Sequence, residues 1–181
     1  MSVESKDDHA RFKKMVLPHL VDAYALARWL TGNPADAEDV VQDASLRAFR
    51  AMDSFAGGNA RAWLLTITRN AAYSWLVKNR PPAVFAVDDL EAVERNEASK
   101  GTMEETETPE TALIAKAQAK QLETAIAQLP LLFRETLVLR DIQGLDYREI
   151  ATMTHVPIGT VMSRLARARQ RLMAGIARGE P

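Results

Sequence analysis

Apolar positions recur along this chain with the period of an α-helix, and the stretches that carry them end at turn signals. The first runs from Phe12 to Leu30 and stops at Thr31-Gly32-Asn33-Pro34. A second spans Asp36 to Arg50, with acidic side chains in its first turn, where they complement the helix dipole. Ala37, Val40, Val41, Ala44 and Ala48 form its core stripe. Asp39, Asp43, Leu46 and Arg50, flanked by Gln42, fall on a separate stripe with a leucine among charges. A single exposed leucine is ordinary on a surface, and it also suits a docking face. After Phe55-Ala56-Gly57-Gly58-Asn59, a third helix is predicted from Ala60 to Arg80, with Trp63, Leu64, Ile67 and Ala71 as its core. This helix leaves Arg61, Arg69, Asn70, Tyr73, Lys78 and Arg80 available. Aromatic rings beside cations suit single-stranded nucleic acid, although such rings also serve in cores.

The last quarter has a different pattern. A short helix from Tyr147 to Met153 precedes Thr154, His155, Val156 and Pro157, and Pro157 suits a helix start because its missing N–H is not needed there. On the helix that follows, at about 100° per residue, Val161, Leu165, Ala168 and Leu172 make one apolar stripe. Thr160, Ser163, Arg164, Arg167, Gln170 and Arg171 lie opposite. Arg169 falls off that face, beside Met162. Two helices at this spacing predict a helix-turn-helix, and the arginine face points to duplex DNA, since a guanidinium fork can grip guanine edges or phosphates with two parallel hydrogen bonds.

Composition narrows the field. With 181 residues and 47% hydrophobic content the chain can form one large domain or two small ones. No apolar run approaches the ~20 residues of a membrane span, and MSVESKDDHARFKK lacks a signal-peptide core, so a cytoplasmic protein is expected. There is no cysteine, hence no disulfide framework, thiolate nucleophile or zinc ribbon. His9, His19 and His155 show no metal-ligand spacing. The net charge of −1 hides an asymmetry: residues 81–110 hold 2 basic and 9 acidic side chains, against 11 and 9 in residues 1–80 and 10 and 6 in residues 111–181. That middle segment opens with Pro81 and Pro82, lacks a sustained apolar period and ends in GTMEETETPE. It reads as a flexible acidic linker between two small all-α domains, an N-terminal helical bundle (10–80) and a C-terminal helix-turn-helix domain (111–176).

Three segments, DAEDVVQDASLRAFR, AWLLTITRNAAYSWL and LPLLFRETLVLRDIQGLDYREIA running into VPIGTVMSRLARARQRL, occur in an order and spacing that resemble bacterial extracytoplasmic-function (ECF) sigma factors of the sigma-70-like family. The resemblance implies a protein without catalytic residues, metal or cofactor that joins core RNA polymerase and brings it to promoter DNA. It assigns Asp39, Gln42, Asp43, Leu46 and Arg50 to core-polymerase binding. Minus-ten recognition and strand opening fall to the third helix and the loop before it, with Asn70 matching the family's asparagine near a flipped base of the nontemplate strand and Arg61, Arg69, Tyr73 and Lys78 as its neighbours. Thr160, Ser163, Arg164, Arg167 and Arg171 become minus-thirty-five contacts, and Arg140, Tyr147 and Arg148 backbone contacts that set register. The chain departs from many relatives at Met162, where they carry arginine or lysine, and at Ser74, where they carry aspartate. A cognate anti-sigma factor is also implied.

Without the resemblance, the helix-turn-helix fits a dimeric transcriptional regulator with half-sites roughly 34 Å apart. The stripe on Asp36 to Arg50 and the lack of an obvious dimerisation helix weigh against it. An enzyme on a helical scaffold is weaker still, because no phosphate loop or nucleophile–base pattern stands out.

Overall fold

Turn chemistry sets the boundaries of the N-terminal helices. The computed structural model describes residues 3–80 and 109–178, so most of the acidic stretch expected to act as a linker lies outside the described residues. Helix α1 (Val3–Met15) leads through a short 3-10 turn, Leu17–His19, into α2 (Leu20–Thr31). The single helix expected over Phe12–Leu30 is therefore two. Pro18 lies at the break, where it removes one backbone donor and bars a continuous hydrogen-bond ladder. Gly32 then closes α2 in the left-handed conformation at φ 76°, and Asn33 caps α3 (Pro34–Arg50) by accepting from the Ala35 and Asp36 N–H groups. Pro34 occupies the first turn, so α3 begins two residues before the expected Asp36. Asn59 caps α4 (Ala60–Asn79) after two glycines at positive φ.

The C-terminal half comprises α5 (Pro109–Gln128), α6 (Leu131–Leu137), a widened π turn at Val138–Ile142, α7 (Tyr147–Thr154) and α8 (Ile158–Arg178). Asp146 and Glu149 form a reciprocal capping box at the start of α7. His155 ends it at φ 56°, a left-handed conformation uncommon outside glycine, and turns the chain sharply toward Pro157. The architecture is all-α among the described residues.

Leu26, Ala27 and Leu30 of α2 pack with Ala37, Val40 and Ala44 of α3 and Leu65, Ala72 and Leu76 of α4. A smaller cluster of Val16, Ala23, Ala48, Met52 and Leu64 lies beneath Phe12 of α1. In the C-terminal half, Ile126, Leu129, Phe133, Leu137, Ile150, Met153, Val161 and Leu165 pack together, and they are continuous with the α2–α4 core. Helix α2 makes the junction by lying against α6 and the widened turn. The two helical units are docked, not merely tethered.

Candidate nucleic-acid and polymerase interfaces

Helix α3 separates its two stripes cleanly. Ala37, Val40, Ala44 and Ala48 are buried and Val41 is half-buried, whereas Asp39, Gln42 and Arg50 are exposed and Leu46 keeps 54% of its surface in water. Asp43 pairs with Arg47 one turn along at 2.7 Å, a surface ion pair of small energetic weight. The five expected docking residues thus share one solvent face of a helix whose opposite face is fully used.

Helix α4 is buried on a wider arc than its periodicity suggests. Leu65, Thr68, Ala72 and Leu76 join the expected Leu64 and Ala71 inside, while Trp63 and Ile67 are only partly covered. The polar residues of α4 divide into two groups. Asn70 and Lys78 are exposed, but Arg61, Arg69 and Tyr73 are turned against the C-terminal half. Arg69 Nε donates to Glu135 Oε1 at 2.6 Å and Nη2 to Oε2 at 3.4 Å. The Tyr73 hydroxyl donates to Glu135 Oε2 at 3.0 Å, and the Arg69 guanidinium lies 4.4 Å from the Tyr73 ring centre. Glu135 has no solvent exposure at all. Burial first, and the neighbouring carboxylate second, push the Tyr73 phenol well above its ordinary value. Arg61 donates to Asp22 Oδ2 at 2.6 Å and to the backbone oxygen and Oε1 of Gln143 at 2.8 and 2.7 Å. Asn59 Nδ2 donates to Glu149 Oε1 at 2.8 Å.

On α8 the expected apolar stripe packs inward at Val161, Leu165 and Ala168, with Leu172 half-buried. Ser163, Gln170 and Arg171 are exposed, and Thr160, Arg164 and Arg167 are partly covered. The Ser163 hydroxyl donates to the Thr160 backbone oxygen. Arg171 rests over the Phe133 ring at 4.9 Å. Arg169 is held by Asp141 through two hydrogen bonds of 2.6 and 3.1 Å, apart from the face expected to read DNA. Arg140 donates to the Leu145 backbone oxygen and lies over the Tyr147 ring. Among the described residues no group of three or more His, Asp or Glu side chains is placed to hold a metal ion, and no helix is long and apolar enough to cross a membrane.

Glu135, Gln143 and Asp22, which engage the α4 cations, carry no sequence motif that marks them. The one local signal is a lone acid inside the apolar run LPLLFRETLVL.

The Sigma-70 region 2 model matches residues 15–81 and the Sigma-70, region 4 model matches residues 119–172. The ECF RNA polymerase sigma-E factor of Escherichia coli K12 is 39% identical over 137 residues, which cover 75% of this chain and 71% of that protein. The chain belongs to the ECF sigma factors. The RNA polymerase sigma-H factor of Pseudomonas aeruginosa is 34% identical over 91% of this sigma factor and 86% of its own length. The sigma factor RpoE, solved with the anti-sigma factor NepR from Bartonella quintana, has a TM-score of 0.68 at 31% identity, covering 92% of this chain and 96% of that one. CnrH, solved with the cytosolic domain of CnrY, shares the fold with a TM-score of 0.63 at 24% identity.

Proposed function

We propose that this ECF sigma factor brings core RNA polymerase to promoters through three surfaces, with residues 10–80 acting as sigma domain 2, residues 111–176 as sigma domain 4 and residues 81–110 as the acidic tether. Asp39, Gln42, Asp43, Leu46 and Arg50 on α3 hold the polymerase. Arg61, Arg69, Asn70, Tyr73 and Lys78 handle the minus-ten element and its melted nontemplate strand. Thr160, Ser163, Arg164, Arg167 and Arg171 contact the minus-thirty-five duplex. The mechanism is non-catalytic and cytoplasmic, nucleoid-associated once the holoenzyme forms: with both domains anchored on polymerase, each promoter contact becomes effectively intramolecular, which raises avidity by 10² or more when the span fits. By its similarity to RpoE, whose structure holds an anti-sigma factor, the chain is expected to have a cognate anti-sigma factor of its own.

The observation that carries this reading is the exposed stripe of α3, a leucine framed by Asp39, Gln42, Asp43 and Arg50 on a helix whose other face is fully packed. The test pairs two variants in a pull-down with core polymerase and run-off transcription on genomic fragments. Leu46→Asp is expected to lose polymerase binding, whereas Arg167→Ala keeps it and loses initiation. Initiation is lost with polymerase binding in Leu46→Asp, so loss of polymerase binding in Arg167→Ala, or its retention in Leu46→Asp, with the fold intact, refutes the division of labour.

A further inference from the structure

We propose that Asp22 is a positioning residue for promoter binding: it holds the Nε edge of Arg61, so that the two terminal nitrogens of the guanidinium form a fork for one phosphate of the melted minus-ten strand. This rests on the assignment of α4 to minus-ten DNA and brings α2 into that surface. Arg61 stands in the first turn of α4, just after the Asn59 cap. That end of a helix carries the positive pole of the dipole and disfavours a cation. Asp22 stands in the first turn of α2, where the same dipole favours a carboxylate. Arg61 Nε donates to Asp22 Oδ2 at 2.6 Å, with 27% and 34% of the two side chains exposed.

This pairing differs from the other strong one on α4. Arg69 finds its carboxylate on α6, in sigma domain 4. Arg61 and Asp22 both belong to sigma domain 2, on helices whose buried residues, Leu26 and Ala27 of α2 and Leu65 and Ala72 of α4, share one core. Packed helices thus fix both ends of the pair, the condition for holding a functional side chain in one geometry. A guanidinium offers five N–H donors in a rigid plane, one of them on Nε. With Nε taken by Asp22, the terminal pair is left to grip two acceptors at once. Here Nη1 donates to the Gln143 backbone oxygen at 2.8 Å and Nη2 to Gln143 Oε1 at 2.7 Å. A phosphodiester presents two acceptors in the same way, and a guanidinium fork matches them bidentately.

The sign of the effect separates positioning from bulk electrostatics. A carboxylate beside a DNA-binding surface repels phosphates, so deleting it ordinarily strengthens binding. Deleting Asp22 should instead weaken it, because a released guanidinium must give up rotamer freedom to form the same two bonds.

The test uses holoenzyme, with each variant of the full chain saturating core polymerase. The probe is a fork-junction DNA with a single-stranded nontemplate minus-ten segment, taken from a promoter located by run-off transcription. Arg61→Ala is expected to weaken binding and to lower the log–log salt slope by about 1. Asp22→Ala is expected to weaken binding about three- to tenfold, the scale of coupling between groups in contact, and to add nothing in the Arg61→Ala background. Arg61→Lys keeps a cation beside Asp22 but lacks the fork, so it should keep the wild-type thermal midpoint and still bind the DNA more weakly. No effect of Arg61→Ala on affinity or slope places the failure in the assignment of α4 and removes the proposal with it. A loss in Arg61→Ala with unchanged or tighter binding by Asp22→Ala overturns the positioning role and leaves that assignment standing. Equal losses from Asp22→Ala in both backgrounds reduce the pair to a structural brace, and wild-type affinity in Arg61→Lys shows that a point charge suffices; either result overturns the proposal.

Discussion

Glu135 is the residue on which most of the charged chemistry converges. A carboxylate this deeply buried is tolerated because Arg69 and Tyr73 both donate to it, and removing one partner strands the rest. Arg69→Met is therefore expected to destabilise the docked form by about 3–5 kcal/mol, far more than breaking the exposed Asp43–Arg47 pair, which is worth about 0–1 kcal/mol; denaturant titration of the two variants decides between them. Tyr73 supplies a second residue-level prediction. Its phenol is held neutral by burial and by the adjacent carboxylate, so its folded pKa lies above its unfolded one. The stabilisation that depends on the phenol staying protonated is set against an unfolded state that ionises near the ordinary value of about 10, so stability falls as pH rises beyond it. In a difference titration of wild type against Tyr73→Phe, no tyrosinate signal is expected at about pH 10, where an unperturbed phenol is half ionised. Half-ionisation at that pH would mean that the phenol is open to water and the domains are apart.

At the scale of helices, α8 separates roles that composition alone cannot. Four arginines lie between Arg164 and Arg171, yet Arg169 is tied to Asp141 while Arg171 is exposed and resting on Phe133. If Arg171 contacts a phosphate, Arg171→Ala in holoenzyme should weaken promoter binding across sequences and reduce the log–log salt slope by about 1. Arg169→Ala should leave the slope unchanged. Helices α3 and α8 are readable in sequence because each buries one face only, so a single stripe of Ala and Val, or of Val161, Leu165 and Ala168, marks the inside. Helix α4 exceeds its single stripe: it packs on two sides, and Leu65, Thr68, Ala72 and Leu76 spread its buried arc beyond any one row. The break at Pro18 is masked in sequence because apolar residues continue on both sides of it. The partners of Arg61 and Arg69 are unreadable for a different reason. Glu135 and Gln143 lie 66 and 82 positions away, beyond the reach of any local periodicity.

Over the whole molecule, the question is whether two domains that share a core also share their stability. All three tryptophans, Trp29, Trp63 and Trp75, belong to the N-terminal half, so their fluorescence reports on that half alone, whereas far-ultraviolet circular dichroism reports on both. Ile150 is fully buried in the C-terminal half. Ile150→Ala is expected to cost about 2–5 kcal/mol from lost burial and the cavity left behind. If the apolar continuity from Leu26 and Leu30 through Phe133 and Leu137 couples the halves, the free chain unfolds in one transition, and the variant shifts the tryptophan signal as far as the dichroism signal. Domains that merely touch would behave differently, with the dichroism signal dividing and the tryptophan transition staying at its wild-type midpoint. If core polymerase draws the two halves apart to reach both promoter elements, the chain gives up this coupling. Its C-terminal half must stand on the packing of α5–α8 alone, and Ile150→Ala should impair minus-thirty-five recognition by the holoenzyme more than it impairs polymerase capture through α3.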